Sequence, residues 1–260
     1  MADDAGMSRM FFSVAFVVLS RRLAAAALAV AGLASAALAA APFEDSMAQR
    51  TLACTACHGP QGRAAADGYY PRLAGKPAGY LYNQLLNFRD GRRHYGLMAQ
   101  LVEPLSDAYL MEIARYFSAL EVPYPPPAAA TAPAALLQRG RQLVLQGDAA
   151  QRVPACVACH GQAMTGVVPH IPGLLGLPRD YLNAQLGAWK TGQRRAHAPD
   201  CMKEVVDRLS LDDLNAVASW LAAQPLPASS KPAAELPAPA PGAVTLTCAS
   251  APAAALKGRP

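Results

Sequence analysis

The sequence predicts an all-α protein made of two tandem helical domains related by internal duplication. Three observations carry this reading. The pentapeptide Cys54-Thr55-Ala56-Cys57-His58 returns as Cys156-Val157-Ala158-Cys159-His160. Apolar residues recur at helical spacing, as in Leu81, Leu85 and Phe88 or Leu110, Ile113, Ala114 and Phe117, and no alternating strand-and-helix pattern interrupts them. The third observation is register. Tyr80, Leu81, Gln84, Leu85, Phe88 and Gly91 are answered 101 residues later by Tyr181, Leu182, Gln185, Leu186, Trp189 and Gly192. Met98, Leu105-Ser106 and Ala114 are answered 104 residues later by Met202, Leu209-Ser210 and Ala218.

Taken in order, the chain opens on Arg21-Arg22 before an apolar run from Leu23 to Ala41, with the small-x-small triplet Ala37-Leu38-Ala39. This reads as a signal peptide over residues 1–39, preceded by an unusual second apolar run from Met10 to Leu19. An uncleaved anchor is the alternative, because Leu23–Ala41 approaches the length of a short membrane span. Export implies a periplasmic protein in a compartment where disulfides form. Residues 43–121 make the first domain. It contains a helix from Phe43 to His58 capped by Asp45 or Ser46, a helix over 78–89, a loop carrying Met98, and a closing helix that Ser106 caps. Residues 122–133, with Pro123 and Pro125 to Pro127, read as a semi-rigid linker that forms no packed element. Residues 134–224 repeat the domain, and 225–260 form a Pro/Ala-rich tail expected to be loosely ordered.

The repeated pentapeptide carries chemistry. Two thiols three positions apart on a helical turn can each form a thioether to one vinyl group of a porphyrin, and the following histidine then faces the iron. The pattern is therefore an attachment signature for c-type haem, and two copies imply two covalently bound haem c groups on Cys54, Cys57, Cys156 and Cys159. A zinc ribbon would need its cysteine pairs separated by roughly 15–20 residues, whereas these lie about a hundred apart. A thioredoxin-type pair wants a βαβ setting, and disulfides within each pair would leave both histidines unexplained. The formal charge of +5 falls to +4 without residues 1–39, which hold three basic and two acidic residues. Roughly four haem propionates, ionised like other carboxylates, bring the protein near neutrality, so nucleic acid is not expected as a partner.

The order P-x-[LI]-x-G, Y-L-x-x-Q-L, an arginine-flanked glycine, Met and then Leu-Ser before a closing helix resembles the dihaem cytochrome c4 family over nearly all of residues 43–224. The resemblance implies two tandem class I cytochrome c domains related by a pseudo-twofold, with both haems near the domain interface. It implies a periplasmic carrier of single electrons between a donor dehydrogenase or quinol-oxidising complex and a terminal oxidase or reductase. The partners would be redox proteins, with a membrane surface reached through partner complexes. It also implies that Pro71 and Pro169 offer backbone carbonyls to His58 and His160, which would fix each imidazole and raise its basicity.

His58 and His160 are thus the expected proximal iron ligands. A methionine opposite them gives a six-coordinate iron of raised potential that transfers electrons without binding substrate. Met98 and Met202 stand 40 and 42 residues after the two histidines, in duplicated positions, whereas Met111 reads as core and Met164 lies too near His160. His94, His170 and His197 read as loop histidines. Arg93 and Arg194, with Arg92 and Arg195, either pair with haem propionates or form a solvated basic rim. The two remaining cysteines suggest a Cys201–Cys248 disulfide closing the tail over the second methionine segment; an intermolecular disulfide is the competing arrangement. The expected class is an electron-transfer protein and not an enzyme. The alternative is a dihaem enzyme or dehydrogenase subunit, for example thiosulfate-oxidising, with Cys201 as an iron ligand.

Overall fold

The computed structural model describes residues 44–65, 67–127 and 129–249; the expected signal peptide and the end of the tail lie outside them. Short polar side chains open several helices by taking up otherwise unpaired backbone N–H groups. Ser46 accepts from Gln49 N to start α1 (Met47–Arg50), and Ser106 accepts from Tyr109 N to start α5 (Asp107–Ala119). Asp200 and Ser210 do the same for α9 (Cys201–Arg208) and α10 (Leu211–Ala222). The helix expected over 43–58 is split, because the Thr51 hydroxyl donates back to Met47 O at 2.7 Å and the chain restarts as α2 (Leu52–His58).

Between these run α3 (Ala78–Arg89), α4 (Gly96–Val102), α6 (Ala134–Leu145), α7 (Val157–His160) and α8 (Arg179–Lys190). A two-residue hairpin, β1 (Gly166–Val167) with β2 (Ile171–Pro172), is an addition the helical periodicity did not foreshadow. The methionine segments differ from expectation too. Met98 and Met202 sit on the short helices α4 and α9 and not in open loops.

Each half builds its own core. In the first, Leu81, Phe88, Leu110, Ile113 and Phe117 bury the facing sides of α3 and α5. In the second, Leu143, Val144, Val206, Leu214 and Leu221 join α6, α9 and α10. Helices α6 and α10 cross so closely at Gly140 that a Cβ there would lie 2.2 Å from Ala216 O, which is why glycine stands at that point. Arg139 on α6 locks the crossing, reaching Asp213 at 2.7 Å and Asp148 at 2.9 Å.

The linker is docked at its start. Arg72 donates to the carbonyls of Val122 and Pro123, and its guanidinium lies 3.8 Å from the Tyr124 ring centroid. The Tyr124 ring also meets Gly176 of the second domain, where a Cβ would approach the ring to 2.4 Å. Proline density excluded a regular element, but it did not exclude packing by the one aromatic residue in the segment. The tail is fastened as well. Ala233 pairs with the hairpin through Gly166 O and Val168 N, Ala249 N donates to Pro199 O, and Cys201 and Cys248 are joined by a disulfide.

The two halves meet along a pseudo-twofold. Arg93 and Arg194 face each other in an antiparallel bridge, flanked by His94 N to Gln193 O at 2.8 Å and Arg195 N to Arg92 O at 2.7 Å. Tyr80 N donates to Pro169 O at 3.1 Å, and Gly79 leaves room for His170.

Candidate haem sites

On α2, Cys54 and Cys57 stand three positions apart, one helical turn, with His58 ending the helix. On α7, Val157 to His160 repeat the turn, with Cys156 at its N-cap. All four thiols are free and half-buried. Burial pushes the Cys54 and Cys159 thiols up, and pushes Cys156 up to about 12. A thiol-exchange pair has a depressed thiol pKa, and these three thiols are shifted the other way.

Both histidines are buried, His58 at 6% exposure and His160 at 7%. His58 Nδ1 lies 2.8 Å from Pro71 O, and His160 Nδ1 lies 2.8 Å from Pro172 O. A carbonyl only accepts, so each Nδ1 carries the proton and each Nε2 keeps its lone pair for a metal. Desolvation holds both rings below the ordinary histidine pKa, against the carbonyl that favours protonation. They are neutral imidazoles, the form that ligates iron.

Pro169 does not serve the second histidine. Its carbonyl faces Tyr80 N across the domain interface instead. The residue in that role is Pro172, 101 positions after Pro71. The whole motif Pro71-Arg72-Leu73-Ala74-Gly75 returns at that spacing as Pro172-Gly173-Leu174-Leu175-Gly176. Pro169 lies three residues before that register, in the turn between β1 and β2, and its carbonyl is turned to the interface.

Met98 is half-buried against the same apolar cluster as Cys54, and Met202 against the same cluster as Cys156. Met111 and Met164 are core residues. Asp200, which the sequence reading passed over, steadies the second methionine helix. Its carboxylate caps α9 and also accepts from Ala196 N at 2.6 Å and Trp189 Nε1 at 3.3 Å.

Between the sites lies a symmetric polar network. Arg93 donates to Gln84 at 3.0 Å and across the interface to Gln185 at 2.6 Å. Arg194 donates to Gln185 at 2.8 Å and back across to Gln84 at 3.0 Å, with Tyr80 Oη at 3.2 Å. Arg194 is 4% exposed, so it is no solvated rim. Its partners here are neutral oxygens, yet burying two guanidiniums side by side calls for anions. Haem propionates are such anions. With free paired thiols, available Nε2 atoms and a methionine on the apolar cluster of each half, the residues present fit two c-type haems.

No family model matches the chain. It is 41% identical over 177 residues to the thiosulfate dehydrogenase electron acceptor of Thiomonas intermedia (strain K12), covering 67% of this chain and 79% of that protein. It is 30% identical over 174 residues to cytochrome c4 of Pseudomonas aeruginosa, covering 66% of this chain and 84% of the relative. Among solved structures it resembles reduced recombinant cytochrome c4 from Pseudomonas stutzeri with a TM-score of 0.58 and 29% identity, over 70% of this chain and 99% of that one. It also resembles thiosulfate dehydrogenase (TsdBA) from Marichromatium purpuratum, with a TM-score of 0.60 and 34% identity over 66% of this chain; it spans only 36% of that longer chain. Two tandem class I cytochrome domains, each with its own Cys-x-x-Cys-His motif, therefore carry two covalently bound haem c groups for electron transfer, and the chain belongs to the cytochrome c4-like family of dihaem cytochromes.

Proposed function

We propose that this protein is a periplasmic carrier that accepts single electrons from a thiosulfate-oxidising dehydrogenase and passes them to a terminal oxidase or reductase. The observation that carries the reading is its 41% identity to a thiosulfate dehydrogenase electron acceptor over most of that protein's length. Domain limits of 43–121 and 134–224, joined by 122–133, follow from the duplicated register. His58 with Met98, and His160 with Met202, are the proposed axial pairs. Arg93 and Arg194 are the proposed propionate partners.

Each bound haem supplies an iron that alternates between ferric and ferrous. The chain's own residues do the rest. The cysteines tether, and the Pro71 and Pro172 carbonyls hold the imidazoles in one tautomer and orientation. The apolar clusters around Met98 and Met202 exclude water, which favours the ferrous state and keeps substrate out. The enzyme alternative needs Cys201 as a thiolate ligand. Its sulfur is bonded to Cys248, so it is not a thiolate. No helix among the described residues is long and apolar enough to cross a membrane, so contact with a membrane surface is assigned to partner complexes.

The test is anaerobic mixing of the oxidised holoprotein with thiosulfate, followed by haem absorption, with and without a thiosulfate dehydrogenase. Reduction only when the dehydrogenase is present supports the carrier. Reduction by thiosulfate alone overturns it in favour of an enzyme, and no reduction in either arm removes this donor.

A further inference from the structure

Lys76 breaks the internal symmetry at the domain interface. Its counterpart 101 residues on is Leu177, an apolar member of the second core. Lys76 is 4% exposed, and none of the ion pairs among the described residues involves it. Its Nζ reaches out of the first domain to donate to Gly173 O of the second at 2.8 Å. Gly173 directly follows Pro172, whose carbonyl receives the His160 Nδ1 proton. The ammonium thus lies one peptide unit from the carbonyl that orients the second imidazole.

Burying an ammonium against a lone carbonyl is costly, and Leu177 shows that an apolar residue fills the equivalent position. The other cations near the two sites are balanced between them or turned away. Arg93 and Arg194 form a mated pair across the interface. Arg72, which repels Lys76, points its guanidinium at the linker carbonyls. Arg72 also lacks a mate, since Gly173 holds its place in the repeat, but it is Lys76 that reaches across to the proline loop of the second domain.

We propose that Lys76 sets the two haems apart, its charge raising the reduction potential of the second-domain haem so that an electron shared by the pair rests there. A positive charge in a low-dielectric interior stabilises the iron state that is one charge less positive, which is the ferrous one. Lys76 therefore biases a one-electron exchange in which one iron goes from ferrous to ferric as the other goes from ferric to ferrous, with no proton or further reactant. The inference rests on His160 as the second iron ligand. It makes Lys76 a positioning charge and not a ligand.

The experiment is spectroelectrochemical titration of the full-length holoprotein and of Lys76→Gln and Lys76→Met, all at pH 6. Burial pushes Lys76 down to about 7, so this pH keeps it charged. Gln retains a donor for Gly173 O without the charge, and Met removes both. Met202→His marks which step belongs to the second domain. The expected result is two separated one-electron steps in the parent. Both variants move the second-domain step to lower potential and leave the first in place, narrowing the separation. If the separation is unchanged in both, if both steps move together, or if Met narrows it and Gln does not, the inference is overturned. Circular-dichroism melting of each variant separates a purely structural role, which lowers the melting temperature without moving the separation. A parent with fewer than two haems per chain, or one whose second step ignores Met202→His, defeats the ligand reading itself; two haems with an unmoved separation defeat only the role of Lys76.

Discussion

At the residue scale each site presents two histidine atoms: a protonated Nδ1 tied to a proline carbonyl and an Nε2 left over. The proposed ligand on the opposite side is one thioether each. Replacing Met98 or Met202 with Ala should remove about half of the long-wavelength methionine–iron absorption, one haem's share. It should also lower that haem's potential, because the thioether stabilises ferrous iron. If Met111→Ala produced this effect and Met98→Ala did not, the assignment would be wrong. The Cys-x-x-Cys-His motifs stand out in the sequence because their spacing is chemical, and Met98 and Met202 are proposed as ligands from their duplicated positions. Pro172 was legible too, through the 101-residue repeat, but Pro169 sits in a superficially similar context and only the structure shows that its carbonyl faces Tyr80 N and not His160. Lys76, Asp200 and the Gln84–Gln185 pair carried no local signal. Their roles arise from what lies across an interface or on a neighbouring helix.

Individual elements are held by a few specific ties. Arg139 lowers the Asp213 carboxyl below its ordinary pKa, against the desolvation that would raise it. A carboxylate depressed in the folded state stabilises the fold above its unfolded pKa of about 3.9. That contribution is lost as the pH falls through the lower, folded value. Asp213→Asn should therefore cost about 1.5–3 kcal/mol at pH 7, typical of a hydrogen bond to a charged group. It should also flatten acid unfolding of the second domain below pH 4, measured by denaturant melts at several pH values. An unchanged acid limb would show that the α6–α10 pair does not titrate with folding. The second tie is the Cys201–Cys248 disulfide, which closes a 47-residue separation. The chain-entropy model gives about 4 kcal/mol at most for such a loop. Cys201→Ser with Cys248→Ser should lower stability by up to that amount. With Met202 next to the released cysteine, the variant should also bind an added small ligand such as imidazole more readily at the second haem. Two alkylatable thiols in the untreated parent would instead exclude the bridge.

Across the whole molecule, the decisive feature is that two near-copies face each other through a buried, self-complementary surface. Gly79 is its tightest point: a Cβ would come within 2.5 Å of His170 Nδ1 and 2.6 Å of Pro169 O. Gly79→Val should overpack that surface at a cost of about 1–3 kcal/mol. The expected outcome is a looser pair of domains, seen as a larger radius in solution scattering, with both haems still attached. A compact variant with the parent's scattering profile would mean that the interface absorbs the methyl groups without opening.

Helices, the duplication, the haem motifs and the ligand candidates follow from the sequence alone, because each is set by spacing along one chain: 3.6 residues per turn, two residues between thiols, a hundred between copies. The disulfide partners could be named only as the remainder after the haem cysteines. Tertiary structure decided everything that depends on the copies meeting. It placed Arg93 and Arg194 in one buried network rather than on a rim and docked Tyr124 of the linker between domains. It strapped the tail to the hairpin and aimed Lys76 at the neighbouring proximal loop. Such contacts join residues about a hundred positions apart with no periodicity to betray them, so they become readable only when burial and charge are seen in three dimensions.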